Sequence, residues 1–175
     1  MSQLNIFVSG TIDDMLAERN AIGTAIESLR LDAVRAETQY SSERSSREEC
    51  LRMARECDVY LGVYNPARYG WTIPGDGISV TEMEFNAAQS WKKPTLIFVK
   101  KCPRDQWDAK QQAFLNRVLD FDGGKFRAPE FESSAQLEEQ VAGSLMQLLI
   151  KRFKMGVTRP PFLAPRHNPN NFVGR

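Results

Sequence analysis

Short apolar runs alternate with helix-like spans along 175 residues, and this alternation predicts an α/β fold. Strands separated by helices imply a parallel sheet covered on both faces. Right-handed crossovers leave few topologies, and the pattern predicts three layers, with a parallel five-stranded sheet in the order 2-1-3-4-5. Composition agrees: 42% hydrophobic and 26% charged residues is ordinary for a globular chain with one core.

The elements follow in order. LNIFVSG (4–10) is an apolar run ending in small residues and reads as the first strand. Asp13 or Thr11 can cap the next helix, in which Met15, Ile22, Ile26 and Leu29 recur at helical spacing. LDAVRAET (31–38) is the second strand. Ser45 and Ser46, each with a glutamate three residues on (Glu48, Glu49), offer capping boxes for a helix over 46–56. DVYLGVY (58–64) is the third strand, and NPARYGWTIPGDGI (65–78) is a Pro- and Gly-rich loop. SVTEMEFNAAQSW (79–91) reads as a helix and leads into a strand over 94–99. Residues 107–119 look helical, through Trp107, Phe114, Leu115 and Val118. A short fifth strand is expected near Lys125–Ala128. Ser133 with Gln136 caps a long last helix striped by Leu137, Val141, Leu145, Leu148 and Phe153. From Met155 the chain turns Pro- and Asn-rich, and 155–171 reads as an extended linker.

Several function classes drop out. A net charge of +1 makes no electrostatic case for a nucleic-acid or membrane partner. No run approaches the about 20 apolar residues of a membrane span, and no signal peptide is visible. Cys50, Cys57 and Cys102 have no metal-type spacing and read as reduced thiols of a cytoplasmic protein. The single histidine, His167, lies in the Pro/Asn-rich tail. Histidine triads, Cys-His dyads and histidine-containing zinc sites are therefore not expected, and no metal or cofactor is assigned.

In a sheet of this order, ligands bind outside the carboxyl ends of strands 1 and 3, where the order reverses. Three patches converge there. Ser9-Gly10-Thr11 ends the first strand, where small residues let a phosphate or ribose approach backbone N–H groups; a tight capped turn needs the same residues. Asn65, Arg68, Tyr69 and Trp71 follow the third strand. An arginine beside aromatics can clamp phosphate and stack a ring, or the aromatics can simply pack on the sheet edge. The third patch is Glu84. At about 100° per residue, Val80, Met83, Ala87, Ala88 and Trp91 share one arc, and Glu84 falls inside it while Glu82 points away. A carboxylate on a core face is costly unless paired or used. Thr81-x-x-Glu84 could be a mere capping box; if Ser79 is the cap, Glu82 does the capping and Glu84 is left over. Glu18-Arg19 reads as a structural pair, Asp58 as a cap or turn residue, and Lys100, Lys101 and Arg104 as surface cations. There is no phosphate-binding P-loop and no GxGxxG.

Three passages together resemble a known family: FVSGTIDDMLAERNA (7–21), ECDVYLGVYNPARYGW (56–71) and SVTEMEFNAAQSWKKPTLIFV (79–99). They look like the spaced motifs of a bacterial domain-of-unknown-function family that often forms the N-terminal domain of STAND-type (NACHT or NB-ARC) NTPases. Gly10 stands where many relatives carry a second serine. The ending Phe172-Val173-Gly174-Arg175 looks like the start of such an NTPase module. The resemblance thus implies an effector domain over 1–154, the linker, and a truncated NTPase from 172. It also implies a TIR-like, flavodoxin-like fold, related to nucleoside deoxyribosyltransferases. In the latter, a glutamate, then alanine four residues on, then Gly-Lys-Pro, precede a strand; Glu84, Ala88 and Lys93-Pro94 match in part.

By that resemblance Glu84 is the catalytic candidate at an N-glycosidic bond, with NAD as a candidate substrate. Ser9, Gly10, Thr11, Asn65 and Arg68 would hold ribose and phosphates, and Tyr69 or Trp71 would stack on a ring. Such domains often serve anti-phage immunity and act when a fused NTPase oligomerises. Two other readings stay open: a non-catalytic adaptor that self-associates, and a nucleotide-binding sensor.

Overall fold

The computed structural model describes residues 3–39, 45–119 and 124–156. Five parallel strands form one sheet in the order β2-β1-β3-β4-β5, as the alternation predicts. β1 (Asn5–Ser9) pairs with β2 (Asp32–Arg35) on one side and with β3 (Val59–Tyr64) on the other. β4 (Thr95–Lys100) pairs with β3 and with a short β5 (Glu130–Phe131).

Strand alternation sends side chains to opposite faces, and two cores result. Ile6, Val8, Leu61 and Val63 meet α1 (Leu16–Ser28) and α5 (Ser134–Gly156) through Ile22, Ile26, Leu137 and Val141. Phe7, Tyr60, Tyr64 and Ile97 face α2 (Ser46–Glu56), α3 (Val80–Ser90) and α4 (Ala109–Val118). On that face Phe85 lies edge-on to Tyr60 at 6.1 Å and to Phe114 at 5.6 Å, a favoured aromatic geometry.

Helix starts follow local hydrogen bonding. Ser45 caps α2 in a reciprocal box with Glu48. Asp108 caps α4, and Ser133 Oγ accepts from the Gln136 N–H at 3.2 Å. α1 departs from expectation. Neither Thr11 nor Asp13 caps it; it starts after Met15 with no side-chain cap, and Met15 is instead fully buried. The second strand is shorter than expected, because a 3-10 turn takes over at Ala36–Thr38.

The fifth strand lies later than 125–128. Phe126 packs edge-on against Phe85 at 6.1 Å and makes a single bridge to Leu119. The chain reaches the edge of β4 only at Glu130 and Phe131, whose ring is fully buried. Trp91 and Phe153 sit on predicted apolar arcs yet are mostly exposed, each near its helix's end. α5 is described through Gly156. The rest of the expected linker, His167 and residues 172–175 lie outside the described residues.

Gly10, which follows β1, has φ +154°, and a Cβ there would sit 2.2 Å from the Val63 carbonyl oxygen. Backbone cannot give way cheaply. Gly10→Ala is expected to cost about 2 kcal/mol or more, read as a lower denaturation midpoint; an unchanged midpoint would show the turn to be pliable.

Candidate functional site

A cavity of about 260 Å³ opens at the carboxyl ends of β1 and β3, where the strand order reverses. Gly10, Thr11, Arg19, Cys50, Arg68, Gly70, Trp71 and Glu84 are among the residues lining it.

Glu84 belongs to this wall because of how α3 begins. Ser79 is the N-cap and its hydroxyl accepts from the Glu82 N–H at 3.1 Å. The Thr81 box is therefore not the one used. With the helix phase set this way, Glu84 faces β1 and is only 5% exposed. Ser9 Oγ donates to its Oε2 at 2.5 Å. Burial pushes the Glu84 carboxyl up to about 7 from its ordinary 4.5, against the opposing pull of Ser9, the Cys50 thiol and the Arg19 charge; Glu37 adds to the rise. A carboxyl that changes charge near neutrality inside a cleft is suited to proton transfer or to stabilising a cation. Cys50 is its thiol neighbour, pushed up to about 12 by burial and by Glu84.

Behind Ser9 runs a line of hydroxyls that sequence reading missed. Tyr60 is hydrogen-bonded to Ser9, and the Tyr60 and Tyr64 hydroxyl oxygens are 3.0 Å apart. Either phenol can be the donor in the Tyr60–Tyr64 bond, while the Ser9 hydroxyl is committed to Glu84. Burial holds both phenols well above their ordinary range, so they remain protonated. Gly62 makes room for the line: a Cβ there would lie 2.4 Å from the Tyr64 hydroxyl. The available signal was Tyr-x-x-x-Tyr, which puts both rings on one face of β3. Ser9→Ala removes the hydrogen bond to Glu84 and is expected to move the carboxyl's midpoint higher still. The pH range over which stability falls should move up with it; denaturation curves from pH 5 to 9 check this, and an unmoved range would discount the bond.

Arg19 is the second missed residue. It is 1% exposed, forks onto Glu37 at 2.8 and 2.6 Å, and donates to the carbonyls of Val8 and Gly10 at 3.1 Å each. It is not paired with Glu18, which bonds Lys100 at 2.6 Å. Adjacent residues on a helix do not face each other.

The loop after β3 is tethered, and this sorts the expected binding residues. Asn65 donates to Asp14 at 2.9 Å and accepts from the Ala67 N–H; it does not line the cavity. The Tyr69 hydroxyl donates to Glu82 and accepts from the Ser79 N–H, so its ring is turned away from the cavity. Glu82, expected to point outward and cap the helix, is 7% exposed and also accepts from Arg117 at 2.6 Å. Arg68 and Trp71 do reach the cavity, Trp71 with two-thirds of its surface exposed. Thr11 lines the wall with a buried hydroxyl that has no partner there. Ser9 acts from behind, through Glu84. Asp58 serves as a turn residue, accepting from the Asn5 N–H at 2.8 Å.

A larger groove of about 640 Å³ runs between α2 and α3 past Arg52, Met83 and Trp91. None of its described lining residues is a buried ionisable group, so the smaller cavity is the chemical candidate. Among the described residues, no group of three or more His, Cys, Asp or Glu is placed to hold a metal ion. No described helix is long and apolar enough to cross a membrane.

A family model described as "Domain of unknown function (DUF4062)" matches residues 5–146. No curated protein matches. Among solved structures, the chain resembles the TIR domain heterodimer of RPS4 and RRS1, with a TM-score of 0.54 at 12% identity over 83% of this chain and 97% of that one. It also resembles diflavin flavoprotein A3 from Nostoc sp., with a TM-score of 0.53 at 8% identity over 89% and 99%. At such identities the likeness is one of fold.

Proposed function

The chain belongs to the DUF4062 family, a domain of unknown function, and on that premise we propose that it is an effector domain that cleaves an N-glycosidic bond in NAD or a related nucleotide. We propose further that it serves a STAND-type immune NTPase in the cytoplasm and acts when that neighbour assembles. One observation carries the enzymatic reading: Glu84 is buried on the wall of the cavity at the strand reversal and ionises near neutrality.

The chemistry asks little else. Breaking a nicotinamide–ribose bond passes through an oxocarbenium-like state that a carboxylate stabilises. The ring leaves as a neutral molecule, so no general acid is needed. Ser9 fixes one Glu84 oxygen, and the Cys50 thiol is the carboxyl's second polar neighbour. Trp71 offers a face at the mouth on which a ring can stack.

The test is nicotinamide release from NAD by concentrated wild-type and Glu84→Gln protein. Release by wild type that vanishes in the variant supports the reading, and equal release in both removes it. A second reading, an adaptor that self-associates, is favoured by the exposed Met146, Ile150 and Phe153 along α5. It expects assembly that rises with concentration and does not depend on Glu84. A nucleotide sensor would instead be stabilised by ligand without turnover.

A further inference from the structure

The charges around the cavity restrict what can enter it. The cations lining it, among the described residues, are Arg19 and Arg68. Arg19 is already spent on Glu37 and two carbonyls, with 1% of its surface exposed. Arg68 leans on Asp14 at 3.7 Å and Asp13 at 4.0 Å. In the wall Glu84 and Asp13 match the two guanidiniums one for one, and Glu37 and Asp14, which do not line it, pair with Arg19 and Arg68. Neither guanidinium is thus left over for an incoming anion. The stretch leading into α1, where a phosphate would meet N–H groups, carries Asp13 and Asp14 instead. Lys100 and Lys101, at the same end of the sheet, are paired with Glu18 and Glu132.

An anion brought into such a cavity is desolvated among like charges. A pyridinium ring gains there, from the carboxylates and from the Trp71 face. The volume, about 260 Å³, falls just below that of ordinary ligand pockets, which run about 300–1,000 Å³, and leaves room for one base and one sugar. We propose that the cavity takes an unphosphorylated N-riboside with a cationic base, which narrows the substrate class given above, and disfavours nucleotides, NAD among them, whose phosphates must follow it in. This rests on the reading of Glu84 as the group acting at an N-glycosidic bond. In the step, water oxygen bonds to C1′ as the C1′–N bond breaks. The bonding pair leaves on the ring nitrogen, neutralising it, and a water proton passes to the Glu84 carboxylate and then to solvent.

The test compares nicotinamide riboside, nicotinamide mononucleotide and NAD in two measurements. Base release gives kcat/KM with wild type, and thermal shift gives binding to Glu84→Gln. The riboside is expected to exceed the mononucleotide by about tenfold or more in kcat/KM, a difference of one like-charge contact, and to stabilise the variant more. Asp13→Asn should narrow that ratio. Equal or better use of the mononucleotide or NAD, with base release intact, overturns this proposal and leaves the glycosidase reading standing. Preferential riboside binding without base release keeps the ligand class and removes the glycosidase reading. No binding of any of the three overturns the ligand class.

Discussion

Glu84→Gln is expected to be more stable than wild type above pH 7 and, on the proposed function, to lose turnover by about a thousandfold or more. The sign follows from the raised carboxyl. Between 4.5 and about 7 the folded protein holds a proton that the unfolded chain has released. Stability therefore falls as pH rises through that window, and the contribution is gone once Glu84 is ionised. The difference is about 3 kcal/mol at most. Glutamine keeps the shape, accepts from Ser9 and carries no charge. Denaturant midpoints should coincide for the two proteins near pH 5 and diverge by pH 8, with the variant higher. Parallel curves at both pH values would mean that Glu84 is not held near neutrality. The paired outcome, more stable and inactive, separates a used carboxylate from a merely structural one.

Arg19→Met is expected to be the most destabilising change, about 3–5 kcal/mol. It strands Glu37 and leaves the carbonyls of Val8 and Gly10 without their donor. Burial by itself pushes the Glu37 carboxyl up, but its hydrogen bonds to Arg19 and the guanidinium charge outweigh this and hold it below its ordinary value. The double change Arg19→Met with Glu37→Met should recover part of the loss, because no lone charge then remains. Urea titrations of the two single variants and the double one measure it. A cost below about 1 kcal/mol for Arg19→Met would class the pair with ordinary surface bridges. The pair also closes the start of the site, since Gly10 and Glu84 both feel this guanidinium.

The legible parts of this protein are those set by short-range pattern. β1, β3 and β4 are continuous apolar runs, and α2 and α3 carry serine caps, so their places could be read directly. Glu84 was legible for the same reason: the Ser79 cap fixes the helix phase, and the phase puts the carboxylate on the buried arc. Missed features depend on partners distant along the chain. Arg19 meets Glu37 across the end of β2, and Tyr69 meets Glu82 across a whole loop. Neither has a local signature. Tyr69 and Asn65 were assigned to ligand because they follow β3, yet tethering the loop uses up their polar atoms. β5 was placed too early because the Phe126 ring, the one large apolar side chain of 125–128, is claimed by Phe85 rather than by the sheet.

The hydroxyl line behind Glu84 ties acidity to descent. Tyr64 is held edge-on by Phe114 at 5.2 Å, and Tyr60 by Phe7 at 6.0 Å and by Phe85. None of these rings lines the cavity, yet they fix where the phenols lie behind Ser9. Drift among interchangeable core residues, ordinarily neutral to selection, would here retune the pH at which the site is charged. A lineage could thus adjust its working pH by exchanging aromatics in the interior, leaving every residue of the cavity wall untouched.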